Sequence, residues 1–274
     1  MKELFVVTGL VLGGFALRTF TGPVPRKVGA VLYLAGTWAA GYFLAGESHW
    51  GGWAALLAWI LLPWVEILLR IRPLRLPIEN KLASQHPPPR ADFPYLTEMT
   101  LDVEEAGFVH AADTGWDGGL IRQFLRIFYH ADSRVQAAIC LNQQSNVTMA
   151  HISLTTRTRS GVTFTTTDFP FSTSMEMPPG SLVQRVPEIG GTVTNLLEWH
   201  LSWIDQCALT TLEDNIELDA DSLPEIISGE MQQQIAHNLK TGIIMDSGDG
   251  MFRYSWRGCF FMWRQLMKDL VKHA

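Results

Sequence analysis

Cysteine is scarce in this chain and poorly spaced for disulfide or metal chemistry. The sequence has three cysteines, Cys140, Cys207 and Cys259, and no two of them form a C-x-x-C pair. An odd number of thiols cannot pair completely, and the close spacings of cysteine zinc sites are missing. We therefore expect buried free thiols, no metal site and no bound cofactor.

The motifs of the best-known enzyme classes are also missing. The sequence contains no G-x-x-x-x-G-K-[ST], no G-x-G-x-x-G, no H-E-x-x-H and no G-x-S-x-G pattern. Their absence excludes the enzymes that are recognised by these motifs, but it leaves other enzymes open. No residue is therefore assigned as catalytic from the sequence.

The remaining acidic and histidine residues are spaced as structural residues are. Glu198 and Asp205 lie two and five positions from His200 on a predicted helix, so neither carboxylate points to the same face as His200. We expect His200 to pack between neighbouring tryptophans. Asp246 and Asp249 lack the alternating ligands and the closing glutamate of a calcium loop, so we expect a simple turn there.

Charge is low overall and unevenly distributed. Charged residues make up 18% of the chain, below the ~25% of ordinary soluble domains. Residues 1–81 carry eight Lys/Arg and four Asp/Glu, residues 82–250 carry eight and twenty-two, and residues 251–274 carry five and one. The acidic middle disfavours nucleic acid as a partner, because such binding neutralises phosphates. An anionic lipid surface would attract both basic ends.

Three apolar segments fill the first seventy residues. They are 4–17, 28–46 and 50–69, and about 20 apolar residues in a helix cross a ~30 Å hydrocarbon core. We interpret residues 1–81 as a transmembrane domain with three predicted spans. Segment 4–17 is short, and a signal peptide is its alternative. Gly9 and Gly13 form a G-x-x-x-G pattern that favours close packing of this helix against the second segment.

Basic residues predict the orientation of this transmembrane domain. The connection after the first segment carries Arg18, Arg26 and Lys27, and the exit from the third segment carries further arginines. The hairpin between the second and third segments carries none. Because Lys/Arg-rich flanks stay in the cytoplasm, we predict that the N-terminus is outside and the C-terminal domain is cytoplasmic. The expected location is a bacterial inner membrane.

A linker and an α+β domain follow the apolar part. Residues 82–95 contain three consecutive prolines and form a Pro-rich linker. In the domain 96–274, Val, Ile, Phe and Thr alternate in segments that predict a four-stranded antiparallel sheet packed by helices. The predicted strands are 120–129, 134–142, 147–158 and 162–168, and the predicted helices are 96–106, 192–212 and 222–239.

The last segment, 258–274, has the pattern of an amphipathic helix. Phe260 and Trp263 lie on its apolar side, and Arg264 and Lys268 lie mostly opposite. Aromatic residues beside cations are typical of a helix at a membrane interface, which makes these four residues candidate membrane-interface residues. A terminal helix packed in the domain core is the alternative.

These patterns predict a location more clearly than an activity. We expect an integral membrane protein whose cytoplasmic domain serves as an interaction, sensing or assembly module, with the bilayer and a protein or second copy as partners. The alternative is a membrane-tethered enzyme with its site near loop 168–189, a long Pro-rich crossing of the kind that often carries function. A transporter is disfavoured, because the apolar segments contain almost no interior charge.

Overall fold

The computed structural model describes residues 2–20, 23–79, 81–119, 121–144, 147–186, 192–207 and 214–273. The chain divides into two compact units. Unit 1 comprises residues 1–74, 171–174 and 253–274, and unit 2 comprises residues 75–170 and 175–252. The helices are α1 (Lys2–Arg18), α2 (Pro23–Leu44), α3 (His49–Glu66), α4 (Leu96–Glu105), α5 (Val193–Cys207), α6 (Leu223–Thr241) and α7 (Trp256–His273).

Ten strands complete the α+β fold of the described residues. They are β1 (Leu76–Pro77), β2 (Ala83–Ser84), β3 (Val109–Asp117), β4 (Ile121–His130), β5 (Val135–Gln144), β6 (Val147–Arg157), β7 (Thr163–Thr167), β8 (Ser181–Arg185), β9 (Ile244–Gly248) and β10 (Met251–Tyr254). Strands β2 to β8 form one sheet in chain order, and a small sheet has the order β1-β10-β9.

The prediction of three membrane spans in residues 1–81 is wrong. Within the described part of the chain, one segment, His49–Ile71, is long and apolar enough to cross a membrane. It consists of α3 and a π-helical turn, Ile67–Ile71, which continues the helix. Three apolar segments in the sequence therefore give three helices but a single candidate span.

Length and composition explain why the first two helices differ from α3. Helix α1 has 17 residues and carries charges at both ends, at Lys2, Glu3 and Arg18. Helix α2 has 22 residues, but Arg26 and Lys27 lie near its start. Glycine, alanine and threonine fill much of its remainder and lower its mean hydropathy. A count of uncharged residues overestimated how apolar these helices are.

Glycines allow α1 and α2 to approach closely within unit 1. A Cβ added to Gly29 would lie 2.8 Å from the Gly14 carbonyl oxygen, so the two backbones are nearly in contact. At Gly13, a Cβ would lie 3.5 Å from Leu32 of α2, and Gly9 has open space around it. The closest approach of α1 to α2 at a described glycine thus involves Gly14, the neighbour of Gly13.

The large sheet of unit 2 has seven strands, so the predicted four-stranded sheet is too small. The predicted strands correspond to β4 to β7, which pair antiparallel as expected. Strands β2 and β3 extend one edge, and β8 pairs parallel to β7 at the other. The added strands are short or polar, and two of them lie in segments that the sequence marks as linker and loop.

Helices cover both faces of this sheet. Helices α4 and α5 pack on one face, where Phe124, Phe128, Ile139 and Leu154 belong to a larger buried apolar cluster. The other face contributes a smaller cluster of buried residues, and Leu223 at the start of α6 belongs to it. The predicted helix 96–106 is confirmed as α4, Leu96–Glu105. Its N-cap residue is Tyr95, and no side chain makes a capping hydrogen bond there.

A buried arginine connects α6 to the sheet. Both Arg157 Nε and Nη2 donate to the Glu230 carboxylate, at 2.6 and 2.8 Å, and Nη1 donates to Gln136 Oε1 at 2.8 Å. Arg157 is 7% exposed, whereas the Glu230 side chain is 36% exposed, so the arginine side of this ion pair is removed from water and the carboxylate keeps contact with it. The planar guanidinium satisfies both partners at once, which explains how a charge is tolerated on the β6 strand.

Candidate functional site

The aromatic side of the C-terminal helix packs against α3 within unit 1. The Trp64 ring lies 5.5 Å from that of Phe260 and 6.2 Å from that of Trp263, measured between centroids. Phe260 and Trp263 contact each other as well, at 5.5 Å. Helix α7 begins at Trp256, two residues before its predicted start. The aromatic residues of α7 therefore pack against α3, which belongs to the candidate membrane span His49–Ile71.

One hydrogen bond fixes the position of Trp263 on α3. The indole Nε1 of Trp263 donates to the Ile60 carbonyl oxygen at 3.1 Å. Pro63 lies inside α3 and lacks the N–H that would donate to the carbonyl of Trp59, four residues earlier, so it does not account for the free acceptor at Ile60. A carbonyl oxygen has two lone pairs, so the Ile60 carbonyl can accept from the indole as well as from a helical N–H.

The predicted interface residues share one helix but differ in exposure. Phe260 is 60% exposed although it touches α3, and Trp263 is half-buried. Arg264 and Lys268 are both exposed, and the Arg264 guanidinium lies 5.9 Å from the Phe261 ring. An exposed aromatic residue beside exposed cations is the arrangement found in helices that lie at a bilayer surface.

Within unit 1, the buried carboxylate of Asp269 on α7 binds Ser172, which lies in the predicted loop 168–189. Asp269 accepts hydrogen bonds from the Ser172 backbone N–H at 2.6 Å and from the Ser172 hydroxyl at 2.7 Å. Asp269 is 6% exposed, and segment Phe171–Ser174 belongs to unit 1 while the chain on either side belongs to unit 2. The loop also contains strand β8, and its last residues, 187–189, lie outside the described residues.

His200 is a buried structural histidine. Its Nε2 pairs with the Thr156 hydroxyl at 2.9 Å and its Nδ1 with the Thr166 hydroxyl at 2.8 Å. Trp203 lies nearby, whereas Trp199 is 55% exposed, so His200 packs against the sheet rather than between two tryptophans. Burial lowers the pKa of His200 to about 4, which keeps the ring neutral. The β6–β7 hairpin thus supplies both hydrogen-bond partners of the buried His200 ring.

A second buried group lies on the opposite face, where the 168–189 loop begins. Cys140 and His151 are direct partners across β5 and β6, and the Asp168 carboxylate accepts from the Ile152 N–H at 2.7 Å. Burial raises the pKa of the Cys140 thiol to about 12, lowers that of His151 to about 4 and raises that of Asp168. A protonated thiol beside a neutral ring is a poor nucleophile.

A cavity of about 200 Å³ lies elsewhere in unit 2. Phe124 and Leu141 line it, and their side chains point to the face opposite Cys140. Gly115 allows the segment beside β2 to approach here, because a side chain at this position would collide with Gln85 and Gln123. The polar lining residues are Gln85, His86, Asp92, Arg122, Gln123, Gln143 and Thr148. This mixed lining suits a small polar molecule.

Other acidic and histidine residues of unit 2 have structural partners. Asp113 accepts two hydrogen bonds from Arg126, at 2.9 and 2.8 Å, and contacts His110 at 3.1 Å. Burial alone would raise the pKa of Asp113, but these hydrogen bonds outweigh it and lower the pKa. Asp246 accepts from the Gly248 N–H at 2.8 Å in the β9–β10 turn. No group of three metal-ligating side chains occurs among the described residues.

Comparison with other proteins adds no relative to this picture. No protein-family model, no curated protein and no solved structure matches the chain. The functional conclusion therefore depends on the residues and contacts of the chain itself.

The buried histidines predict how stability changes with pH. Because the pKa of His200 falls from 6.5 to about 4 on folding, the unfolded chain binds a proton between these values that the folded chain does not. Stability is complete above pH 6.5 and falls as the pH drops towards 4, by about 3 kcal/mol for this group. Denaturant unfolding of the detergent-solubilised protein at several pH values measures the slope.

The variant His200→Gln should flatten part of that slope, since glutamine does not titrate. His86→Gln is the matched control, because His86 is exposed. An unchanged slope in His200→Gln would contradict a neutral, buried His200.

Thiol labelling tests whether the Cys140 group is a hidden nucleophile. Cys140 and Cys259 are buried, and Cys207 is half-exposed. Burial raises the pKa of both buried thiols, and the charge of Arg72 only partly opposes this at Cys259. We expect N-ethylmaleimide at pH 7 to modify Cys207 first, as read by peptide mass spectrometry. Faster labelling of Cys140 would contradict this and would favour a catalytic thiol.

Proposed function

We propose that this chain is a membrane-anchored interaction module. Helix α3 lies in the bilayer, α7 lies at the cytoplasmic interface beside it, and the α+β domain offers an acidic helical surface to a basic protein partner. The function is attachment and recognition rather than catalysis. The exposure of α3 carries this proposal.

Most of the apolar surface of α3 is left uncovered by the part of the chain that the structure describes. Only 6% of its most apolar window is buried. Trp53, Leu57, Leu62, Val65 and Leu69 are each between 54% and 71% exposed. A helix that is apolar on all sides needs either a protein core or lipid around it. Since the chain leaves this surface open, lipid is the solvent that suits it.

The residues after α3 favour a cytoplasmic position for the α+β domain. Arg70, Arg72 and Arg75 follow the apolar segment directly, and basic flanks are retained in the cytoplasm. Three free thiols suit the same reducing compartment. The N-terminus on the outer side stays a prediction, and a residue-by-residue accessibility map would test it.

The surface that we propose for the partner is the outer side of α4 and α5. These helices contact each other, and the Val193 N–H at the start of α5 donates to Asp102 of α4 at 3.2 Å. Neither helix contains lysine or arginine. The exposed large apolar residues of this α4–α5 face are Tyr95, Leu101, Trp199 and Leu201. Its exposed acidic residues are Glu98, Glu104, Glu105, Glu198 and Asp205.

Charge and aromaticity together indicate the chemistry of the partner. Exposed single apolar residues are common on soluble domains, but exposed tryptophan is typical of contact surfaces. An acidic rim around it repels other acidic proteins and attracts basic ones. The α4–α5 face therefore fits a protein surface that presents lysine or arginine around an apolar pocket.

The alternative function, an enzyme with its site near loop 168–189, has less support. An enzyme site combines a cavity with titratable groups of perturbed pKa. Among the described residues, the perturbed group of Cys140, His151 and Asp168 and the 200 Å³ cavity lie on opposite sheet faces. Burial is the largest cause of each perturbation, and it favours the neutral forms of these groups.

Membrane attachment is tested by placing charge in α3. We expect the full-length protein to remain in membranes after alkaline carbonate extraction. Leu57→Lys with Leu61→Lys should release it or prevent insertion, because a charge near the helix centre costs about 2.5–3.5 kcal/mol. Leu101→Lys with Leu201→Lys is the matched control on the domain. Recovery of the unaltered protein in the supernatant, without detergent, would contradict the anchor.

Partner recognition is tested by site-specific cross-linking and charge reversal. A photoreactive residue at Trp199 or Leu101 should cross-link one partner whose contact peptide is basic, whereas one at Gln233 on α6 should not. Glu98→Lys with Glu198→Lys should weaken this interaction strongly and in a salt-dependent manner. Glu79→Lys with Asp132→Lys changes the charge equally and should leave it intact. Equal loss in both double variants would contradict the α4–α5 face as the binding surface.

A further inference from the structure

We propose that Arg72, Arg253 and Arg257, grouped around Trp256, bind the phosphate headgroup of an anionic phospholipid. This inference deepens the proposed function and rests on it, because it requires α3 to lie in a bilayer. All four residues belong to unit 1.

The geometry begins with a stacked pair. The Arg72 guanidinium lies 3.9 Å from the centre of the Trp256 ring, which joins the residue after the π-helical turn to the first residue of α7. The Arg72 N–H donates to the Ile67 carbonyl at 2.8 Å, so the π-helical turn fixes its backbone. Stacking on an aromatic face holds a guanidinium flat while its edge stays available for hydrogen bonds.

Two further arginines lie near Trp256 along the chain. Arg253 and Arg257 are exposed and lie three residues before and one after Trp256. Among the described residues, Arg70 pairs with Glu66 at 3.3 Å, but no carboxylate pairs with Arg72, Arg253 or Arg257. The first turn of α7 contains no acidic residue, although a helix start favours one. An anion from outside the chain would supply the missing negative charge.

The surroundings favour a lipid phosphate over a free one. Leu69, next to Arg70, is 71% exposed, and Phe260, one turn after Trp256, is 60% exposed. Acyl chains would cover these apolar side chains while the headgroup phosphate met the guanidinium groups. Tryptophan suits the headgroup level, as Trp256 does with 59% of its surface exposed. A free phosphate ion would leave the apolar surface uncovered.

Arginine also explains the preference for phosphate among anionic groups. Its planar N–H donors match phosphate oxygens two at a time, and a cation near an anionic leaflet gains binding energy from the surface potential. Phosphatidylcholine carries a compensating ammonium group, whereas phosphatidylglycerol does not. The site should therefore distinguish these two lipids.

The experiment uses the full-length protein reconstituted with phosphatidylcholine and phosphatidylglycerol. After gentle detergent extraction, native mass spectrometry counts the lipids of each class that remain bound. We expect phosphatidylglycerol to be retained preferentially. Arg72→Gln with Arg257→Gln should reduce this preference roughly 30-fold, from the loss of two cations at the surface. Added inorganic phosphate should compete only weakly, since it lacks acyl chains.

Two further variants keep the inference falsifiable. Arg90→Gln with Arg159→Gln removes two exposed arginines of unit 2 and should leave the preference unchanged. Arg72→Lys keeps the charge but loses the stacked fork, so it should retain part of the preference if the protein folds. Equal retention of both lipids, equal loss in the Arg90/Arg159 control, or full competition by inorganic phosphate would each overturn the lipid site. Recovery in the supernatant without detergent would instead overturn the membrane anchor.

Discussion

The apolar surface of α3 is the constraint on which the rest of the proposal depends. Ten of its large side chains, counted through the π-helical turn, are more than a third exposed, among them Trp50, Leu62 and Leu69. Fully removing one such side chain from water gains about 1.5–3 kcal/mol. Ten of them together exceed the net stability of a typical domain, about 5–15 kcal/mol. We propose that an apolar phase outside the chain covers this helix, which would place the basic residues at its end at a polar boundary.

The sequence could predict the character of α7 but not its partner. Spacing of three and four residues placed Phe260 and Trp263 on one side and Arg264 and Lys268 mostly on the other, and the helix forms as expected. Periodicity states which side of a helix is apolar, not which element it meets. The Trp263–Ile60 hydrogen bond joins residues about two hundred positions apart. Nothing local in either segment signals that pairing.

The large sheet also contains strands that local sequence patterns could not predict. Strands β4 to β7 were predictable because alternation and β-branched residues coincide there. Strand β3 was missed because His110, Asp113 and Gly115 interrupt the alternation of apolar residues that predicts a strand. Strand β2 has two residues inside a Pro-rich linker, and it pairs with β3 where Gly115 permits close approach. Such edge strands are defined by the neighbour that they join, so their own residues carry little signal.

Burial is the largest cause of the pKa shifts of Cys140 and His151 in unit 2. The Asp168 charge adds to the shift of Cys140, whereas burial is the one cause at His151. Each group moves towards its neutral form. His200 is neutral for the same reason and uses both ring nitrogens to bind threonines. Exposed acidic residues and no cation lie on α4 and α5, whereas exposed cations lie on α7 and after α3. We propose that these two surfaces serve two different partners, a basic protein and an anionic membrane.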